Sequence, residues 1–243
     1  MKLSVCIPMY NESAICAETL LTLAEEAARL KAKGYPCELV FFDDGSADRS
    51  GELLRREVEE WGYTDVKVLI GKKNLGKGAA VREAVLHTEG DIVVYTDCDL
   101  AYGTEPILRA AKMIEAGEAD AVLGSRNLKK DSYGEYTAIR RLASKVYIKV
   151  ISVAAGFRMS DSQCGFKAYR GDLARRIFAL CTVNGFAFDL EAIKIGQKMG
   201  VRFAEMPVKI INHRDSKIRL VRDTLKMLSD IRVIKKKVKA LKI

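Results

Sequence analysis

Short apolar runs alternate with amphipathic stretches along the first half of this chain, and that alternation restricts the fold more than any other feature. Residues 2–8 read as a strand and 13–30 as a helix with Ser13 at its N-cap. Residues 38–42 are apolar and aromatic, 49–61 helical, 66–70 a strand and 77–87 a helix. A strand over 91–96, a helix over 105–115 and a strand over 119–123 complete the pattern. Alternation of this kind implies βαβ crossovers, and so an α/β fold with a mostly parallel sheet flanked by helices. In such a sheet ligands bind beyond the carboxyl ends of the strands. The short polar motifs fall at those ends, at 9–12, 43–46, 71–78 and 97–99.

The last of these motifs has the most chemistry in it. Tyr95-Thr96-Asp97-Cys98-Asp99 follows the apolar run Ile92-Val93-Val94. If the strand continues, alternation sends Asp97 and Asp99 to one side and Cys98 to the other. Two carboxylates one residue apart repel unless a cation, a proton or a basic partner lies between them. A divalent ion held by so few protein oxygens keeps positions free for substrate phosphates. Acidic pairs also cap helices, so the motif alone leaves both readings open.

The second half is less regular. Ile139, Leu142, Val146, Val150 and Val153 make an apolar helical stripe, and 161–169 reads as a loop entering a strand. Residues 186–199 are helical, and 201–211 form a strand interrupted by Pro207. From 221 onward Leu225, Leu228, Ile231, Ile234, Val238 and Leu241 recur at helical spacing between Lys and Arg. Residues 218–243 hold nine Lys/Arg against two Asp, so seven of the nine net positive charges sit there. The organisation expected is a domain over 1–217 and a basic amphipathic C-terminal helix over 218–243.

Hydrophobic content of 49% is ample for a core. No charge-free apolar run approaches the roughly 20 residues that cross a bilayer, and the chain opens as a strand rather than a signal peptide. The six cysteines are scattered without a C-x-x-C, which suits a reduced, cytoplasmic setting. His87 and His213 have no ligand spacing. The run from Gly71 to Gly78 nearly spells a Walker A loop, but Gly78 stands where Ser or Thr must bind magnesium. Amide groups at a helix start near Gly76, with Lys77, still suit a phosphate or diphosphate. A dinucleotide fingerprint after the first strand is absent, since Pro8-Met9-Tyr10-Asn11-Glu12 is unlike G-x-G-x-x-G.

Ile7-Pro8-Met9-Tyr10-Asn11-Glu12, Asp43-Asp44-Gly45-Ser46-Ala47-Asp48, Asn74-Leu75-Gly76-Lys77-Gly78 and Asp97-Cys98-Asp99 occur in that order. Together they resemble the motifs of family-2 inverting glycosyltransferases, which have the Rossmann-like GT-A fold. Gly124-Ser125-Arg126, Arg140-Arg141, Gln163-Cys164-Gly165-Phe166-Lys167, Phe188-Asp189-Leu190-Glu191 and Ser216-Lys217 follow. These are similar to the polyprenyl-phosphate branch, the dolichyl-phosphate mannose synthases and, closer still, the dolichyl-phosphate glucosyltransferases. The resemblance spans about residues 3 to 220.

It implies transfer of a hexose, glucose before mannose, from UDP-glucose or GDP-mannose to a polyprenyl phosphate. Pro8, Tyr10, Glu12 and Asp43 or Asp44 would hold base and ribose, since carboxylates accept from base N–H and ribose hydroxyls. Gly76 and Lys77 would face the diphosphate. Asp97 and Asp99 would bind Mg²⁺ or Mn²⁺, which stabilises the departing nucleotide. The chain departs from many mannose synthases at Ala101, where a polar residue often assists the metal.

A polyprenyl phosphate brings its own anion and needs cations that aim it, not a strong base. Arg126 and Arg140 are the candidates, because guanidinium forks match phosphate oxygens; a solvated helix face is the other reading of Arg140. Lys217 would close over the diphosphate. A hydroxyl acceptor would instead need a carboxylate base, for which Asp189 is the candidate and a helix N-cap its other reading. The tail either lies on a membrane surface, apolar face down, or docks on its own domain. Nothing marks a nucleic-acid site. A protein of this kind visits the membrane from the cytoplasmic side as a peripheral protein. A non-catalytic nucleotide-sugar binder is the remaining alternative.

Overall fold

The computed structural model describes residues 1–129, 132, 146, 148, 150–156, 159–212 and 220–243, with side chains in the last segment from Met227 onward. The elements in chain order are β1 (Leu3–Met9), α1 (Cys16–Ala32), β2 (Cys37–Asp43), α2 (Ser50–Trp61), β3 (Val66–Ile70) and α3 (Lys77–Leu86). Then come β4 (Ile92–Tyr95), α4 (Glu105–Glu115), β5 (Ala121–Ser125), β6 (Lys167–Arg170), α5 (Gly171–Leu180), α6 (Phe188–Lys198), β7 (Phe203–Pro207) and α7 (Leu220–Ala240). The βαβ half follows the sequence pattern closely. One difference is at α1, where the amides of Ile15 and Cys16 both donate to the Glu12 carbonyl, so the helix starts three residues after Ser13. Ser13 is not its cap; its amide donates to Asp48 Oδ2 at 2.9 Å.

The seven strands form one sheet in the order β3-β2-β1-β4-β6-β5-β7. All neighbours are parallel except β6, which runs antiparallel between β4 and β5. Reversal places the first residue of β6, Lys167, opposite Tyr95 and Leu123 at the same edge where the other strands end. That edge therefore gathers the carboxyl ends of six strands and one inserted ammonium.

Strand alternation splits the core into two layers. Val5, Ile7, Phe41 and Val94 face α1, α2 and α4, with Leu20, Leu23, Leu54, Ile107 and Ile114 buried against them. Cys6, Val40, Val93 and Tyr95 face the opposite layer of α3, α5, α6 and α7, with Val81, Ile177, Phe178 and Ile193. The apolar stripe expected at 139–153 lies partly outside the described residues. Within them, Ile148, Ile151 and Ala155 are the buried positions, while Val146, Val150 and Val153 of the stripe are exposed. This segment carries apolar residues on both faces.

The C-terminal helix docks on its own domain. Met227, Ile231, Ile234 and Val238 of α7 are buried in the second layer, worth roughly 1.5–3 kcal/mol each. Lys237 donates to Glu191 Oε1 at 2.6 Å, to Thr182 Oγ1 at 2.7 Å and to the Leu180 carbonyl at 2.6 Å. In return Lys198 of α6 takes the end carbonyls of Val238, Lys239 and Leu241, the charge that suits a helix C-terminus. From Met227 onward the apolar face of this helix is thus covered by the protein itself. Lys235, Lys236, Lys239 and Lys242 remain exposed. Among the described residues no helix is long and apolar enough to cross a membrane.

Candidate active site at the carboxyl edge of the sheet

The loops after β1 and β2 are tied together. Asn11, at φ 54°, accepts the Ala47 amide at 2.9 Å and donates its own to Ser46 Oγ at 2.8 Å. Glu12 donates its amide to Ser50 Oγ, and Asp48 accepts the amides of Ser13 and Ser50. Those bonds, together with the Ser50 hydroxyl, outweigh partial burial and hold the Asp48 carboxyl down at about 2. Asp43 is buried and accepts the amide and hydroxyl of Ser46. Pro8 is half-buried at the end of β1, Glu12 is half-buried, and Tyr10 is exposed at the rim.

Asp44 is bonded to the start of α3. Both Asp44 oxygens are taken by the backbone, Oδ1 by the Leu75 amide at 2.9 Å and Oδ2 by the Gly76 amide at 2.7 Å. The carboxylate thereby clamps the loop before α3. The Gly78 amide donates to the Asn184 carbonyl at 2.7 Å, and the Ala79 amide reaches the same oxygen. The amides of Gly76, Gly78 and Ala79 at the first turn of α3 are thus bonded within the protein. The backbone also explains the glycine. Gly76 sits at φ 109°, and a Cβ there would stand 2.6 Å from the Asn184 carbonyl oxygen.

β4 ends at Tyr95, so Asp97 and Asp99 stand in the turn after it rather than on a continuing strand. The Leu100 amide closes that turn on the Asp97 carbonyl, and Thr19 Oγ1 fixes the Cys98 carbonyl at 2.6 Å. The basic partner that two neighbouring carboxylates require is present: Lys77 Nζ lies on Asp97 Oδ1. Asp99 accepts the Ala101 amide at 3.1 Å. Burial, then the Asp97 charge, push its carboxyl above the ordinary value against the pull of Lys77. Gly165 permits the approach of the next loop, since a Cβ there would meet Asp97 Oδ2 at 2.1 Å. This donor set fits a divalent cation. It offers two hard carboxylates in mutual repulsion, and among the described residues no third Asp, Glu, His or Cys completes a cage.

Arg126 follows β5 and is forked onto Asp161, Nε to Oδ2 at 2.6 Å and Nη2 to Oδ1 at 3.0 Å. Asp161 is fully buried, and its amide and Ser160 are held by Glu205 of β7. The guanidinium is therefore aimed by protein and keeps only Nη1 outside the fork. Asp189 is also engaged. It lies inside α6, whose N-cap is Ala187, so it is no cap. Its Oδ1 accepts Lys167 Nζ at 2.8 Å and the Tyr95 hydroxyl, with Lys167 wholly buried. Its carboxylate thus meets a buried ammonium and a phenol rather than standing alone. Arg140 and Lys217 lie outside the described residues. Asp161, Glu205, Lys167 and Asn184 were missed as site residues by the sequence reading; only Lys167 carried a signal, as the last residue of a quoted motif.

Fold and edge together define a nucleotide-sugar-dependent transferase of the GT-A type, and the chain belongs to glycosyl transferase family 2, whose model matches residues 4–178. Among curated relatives it is 28% identical over 240 residues to a dolichyl-phosphate beta-glucosyltransferase of Dictyostelium discoideum, covering 94% of this chain and 72% of the relative. It is also 28% identical to the enzyme of that name from Saccharomyces cerevisiae, over 96% of this chain and 74% of the relative. Among solved structures, glucosyl-3-phosphoglycerate synthase from Mycobacterium tuberculosis with Mn²⁺, UDP and phosphoglyceric acid superposes with a TM-score of 0.66. The match has 16% identity and covers 100% of this chain and 80% of that one.

Proposed function

We propose that this enzyme transfers glucose, with inversion, from UDP-glucose to a polyprenyl phosphate of the dolichyl type. The observation that carries the acceptor is the state of Asp189. Asp189, the carboxylate that the sequence offers as a base, is ion-paired with Lys167 and accepts the Tyr95 hydroxyl, which favours an acceptor that arrives already ionised, as a phosphate does. Similarity over nearly the whole chain to dolichyl-phosphate beta-glucosyltransferases supports the same choice and favours glucose.

In this reading Asp97 and Asp99 hold Mg²⁺ or Mn²⁺, which supplies charge for the departing diphosphate. Pro8, Tyr10 and Glu12 line the nucleotide side, with Asp43 and Asp44 shaping its loops from beneath. Arg126, aimed by Asp161, orients the acceptor phosphate oxygen for in-line attack on the anomeric carbon. As that C–O bond forms, the bond to the diphosphate breaks and UDP leaves. Arg140 and Lys217 keep the acceptor and diphosphate roles that the family resemblance gives them. The exposed Val146, Val150 and Val153 offer an apolar contact for a lipid surface, and the lysine face of α7 adds attraction to anionic headgroups of about 1 kcal/mol per close residue. The reaction is tested by offering radiolabelled UDP-glucose, GDP-mannose or UDP-N-acetylglucosamine with Mn²⁺ and a short polyprenyl phosphate. Organic-phase label from UDP-glucose, lost in Asp97→Ala and Asp99→Ala, is the expected result. Label from GDP-mannose alone would overturn the sugar.

A further inference from the structure

The backbone around Lys77 is fixed while its side chain is placed at the surface of the cleft. Asp44 holds the Gly76 amide, and the Asn184 carbonyl holds that of Gly78. The Lys77 and Asp97 side chains nonetheless keep 26% and 31% of their surface exposed, so their ion pair can exchange partners. Asp97 Oδ2 is walled by Gly165. Asp99 makes no ion pair among the described residues, and behind the site Lys167 and Asp189 cancel each other. Among the described residues, Asp97, Asp99 and Lys77 thus bring two carboxylates and one ammonium together, and Glu12 adds a further negative charge toward Asp99.

A bare divalent ion entering that cleft must displace the ammonium from Asp97 and then sit beside it as a like charge. An ion arriving with a nucleoside diphosphate meets no such opposition, because the diphosphate oxygens give the displaced ammonium a new partner. We propose that Lys77 is a built-in counter-cation for the Asp97–Asp99 pair. It disfavours occupation by free metal and transfers to the diphosphate when metal and nucleotide bind together. The two ligands are thereby positively coupled, and the coupling is carried by one side chain. The inference rests on the reading of Asp97 and Asp99 as the metal site.

Titration of the full chain with Mn²⁺, following the free-ion signal by electron paramagnetic resonance with and without UDP, tests this. Lys77→Met is expected to bind Mn²⁺ alone about tenfold more tightly than wild type, the scale of one removed like charge near a partly exposed site. The strengthening by UDP should shrink correspondingly, and Lys77→Arg should restore the wild-type pattern. Equal or weaker binding of Mn²⁺ alone by Lys77→Met would overturn the inference while leaving the metal site intact. If wild type takes up no Mn²⁺ even with UDP, or Asp97→Asn binds it unchanged, the metal site falls and the inference with it.

Discussion

Arg126 and Asp161 show how a functional cation is made rigid by a residue that never meets the substrate. The guanidinium is mostly buried, and its partner has no exposed surface. Removing one member leaves the other charged and dry, a change that costs about 3–5 kcal/mol. Arg126→Ala should therefore lower the urea midpoint sharply as well as abolish transfer, and a stability equal to wild type would mean the fork is not formed. Asp48 makes a separate prediction through pH. Its folded carboxyl sits near 2, below the ordinary 3.8. The stability it contributes is complete above about 4 and is lost as pH falls toward 2. Asp48→Asn should flatten that part of a urea-midpoint profile between pH 6 and 2.5. Asp97 and Asp99, read from the sequence as a metal-binding pair, are neighbours in sequence. Other groups of the site find partners far away: Asp44 is clamped by residues 31 and 32 positions on, and the Gly78 amide by Asn184. No local pattern reports such partners.

At the scale of elements, the first half was legible because each strand and helix announces itself by period and the crossover rule fixes their arrangement. β6 was harder, being four residues, KAYR, entered from a loop and laid antiparallel inside a parallel sheet. The helix of α5 was not anticipated at all. Tail periodicity marked Leu228, Ile231, Ile234, Val238 and Leu241 of the stripe that packs inward, missed Met227, and could not say what covers it. The docking of Met227, Ile231, Ile234 and Val238, with Lys237 on the buried Glu191, answers that. Deletion of 220–243 should expose this patch and leave Glu191 without its ammonium, giving a protein of markedly lower thermal midpoint that binds a hydrophobic dye. A truncated chain as stable as the whole would show the helix to be an appendage.

For the whole molecule, charge and apolar surface bear on where the reaction happens. Most of the net positive charge is in the tail, whose lysine face is open, and Val150 and Val153 are uncovered elsewhere. Sedimentation with vesicles containing anionic lipid should fall when Lys235 and Lys236 are both changed to Glu, and should weaken with salt as the screening length drops to about 10 Å at 0.1 M. Val150→Asp with Val153→Asp should also reduce it while leaving the thermal midpoint unchanged. Vesicle binding indifferent to all four positions would remove these surfaces from the account.

The most direct test compares two acceptors that differ only at the reacting end, a short polyprenyl phosphate and the corresponding polyprenol, each with radiolabelled UDP-glucose and Mn²⁺ at neutral pH. With Asp189 ion-paired to Lys167, label should pass to the phosphate alone, and the product should carry the inverted, β-linked sugar. Comparable transfer to the polyprenol would show that a base does act in this site and would contradict the account at its centre.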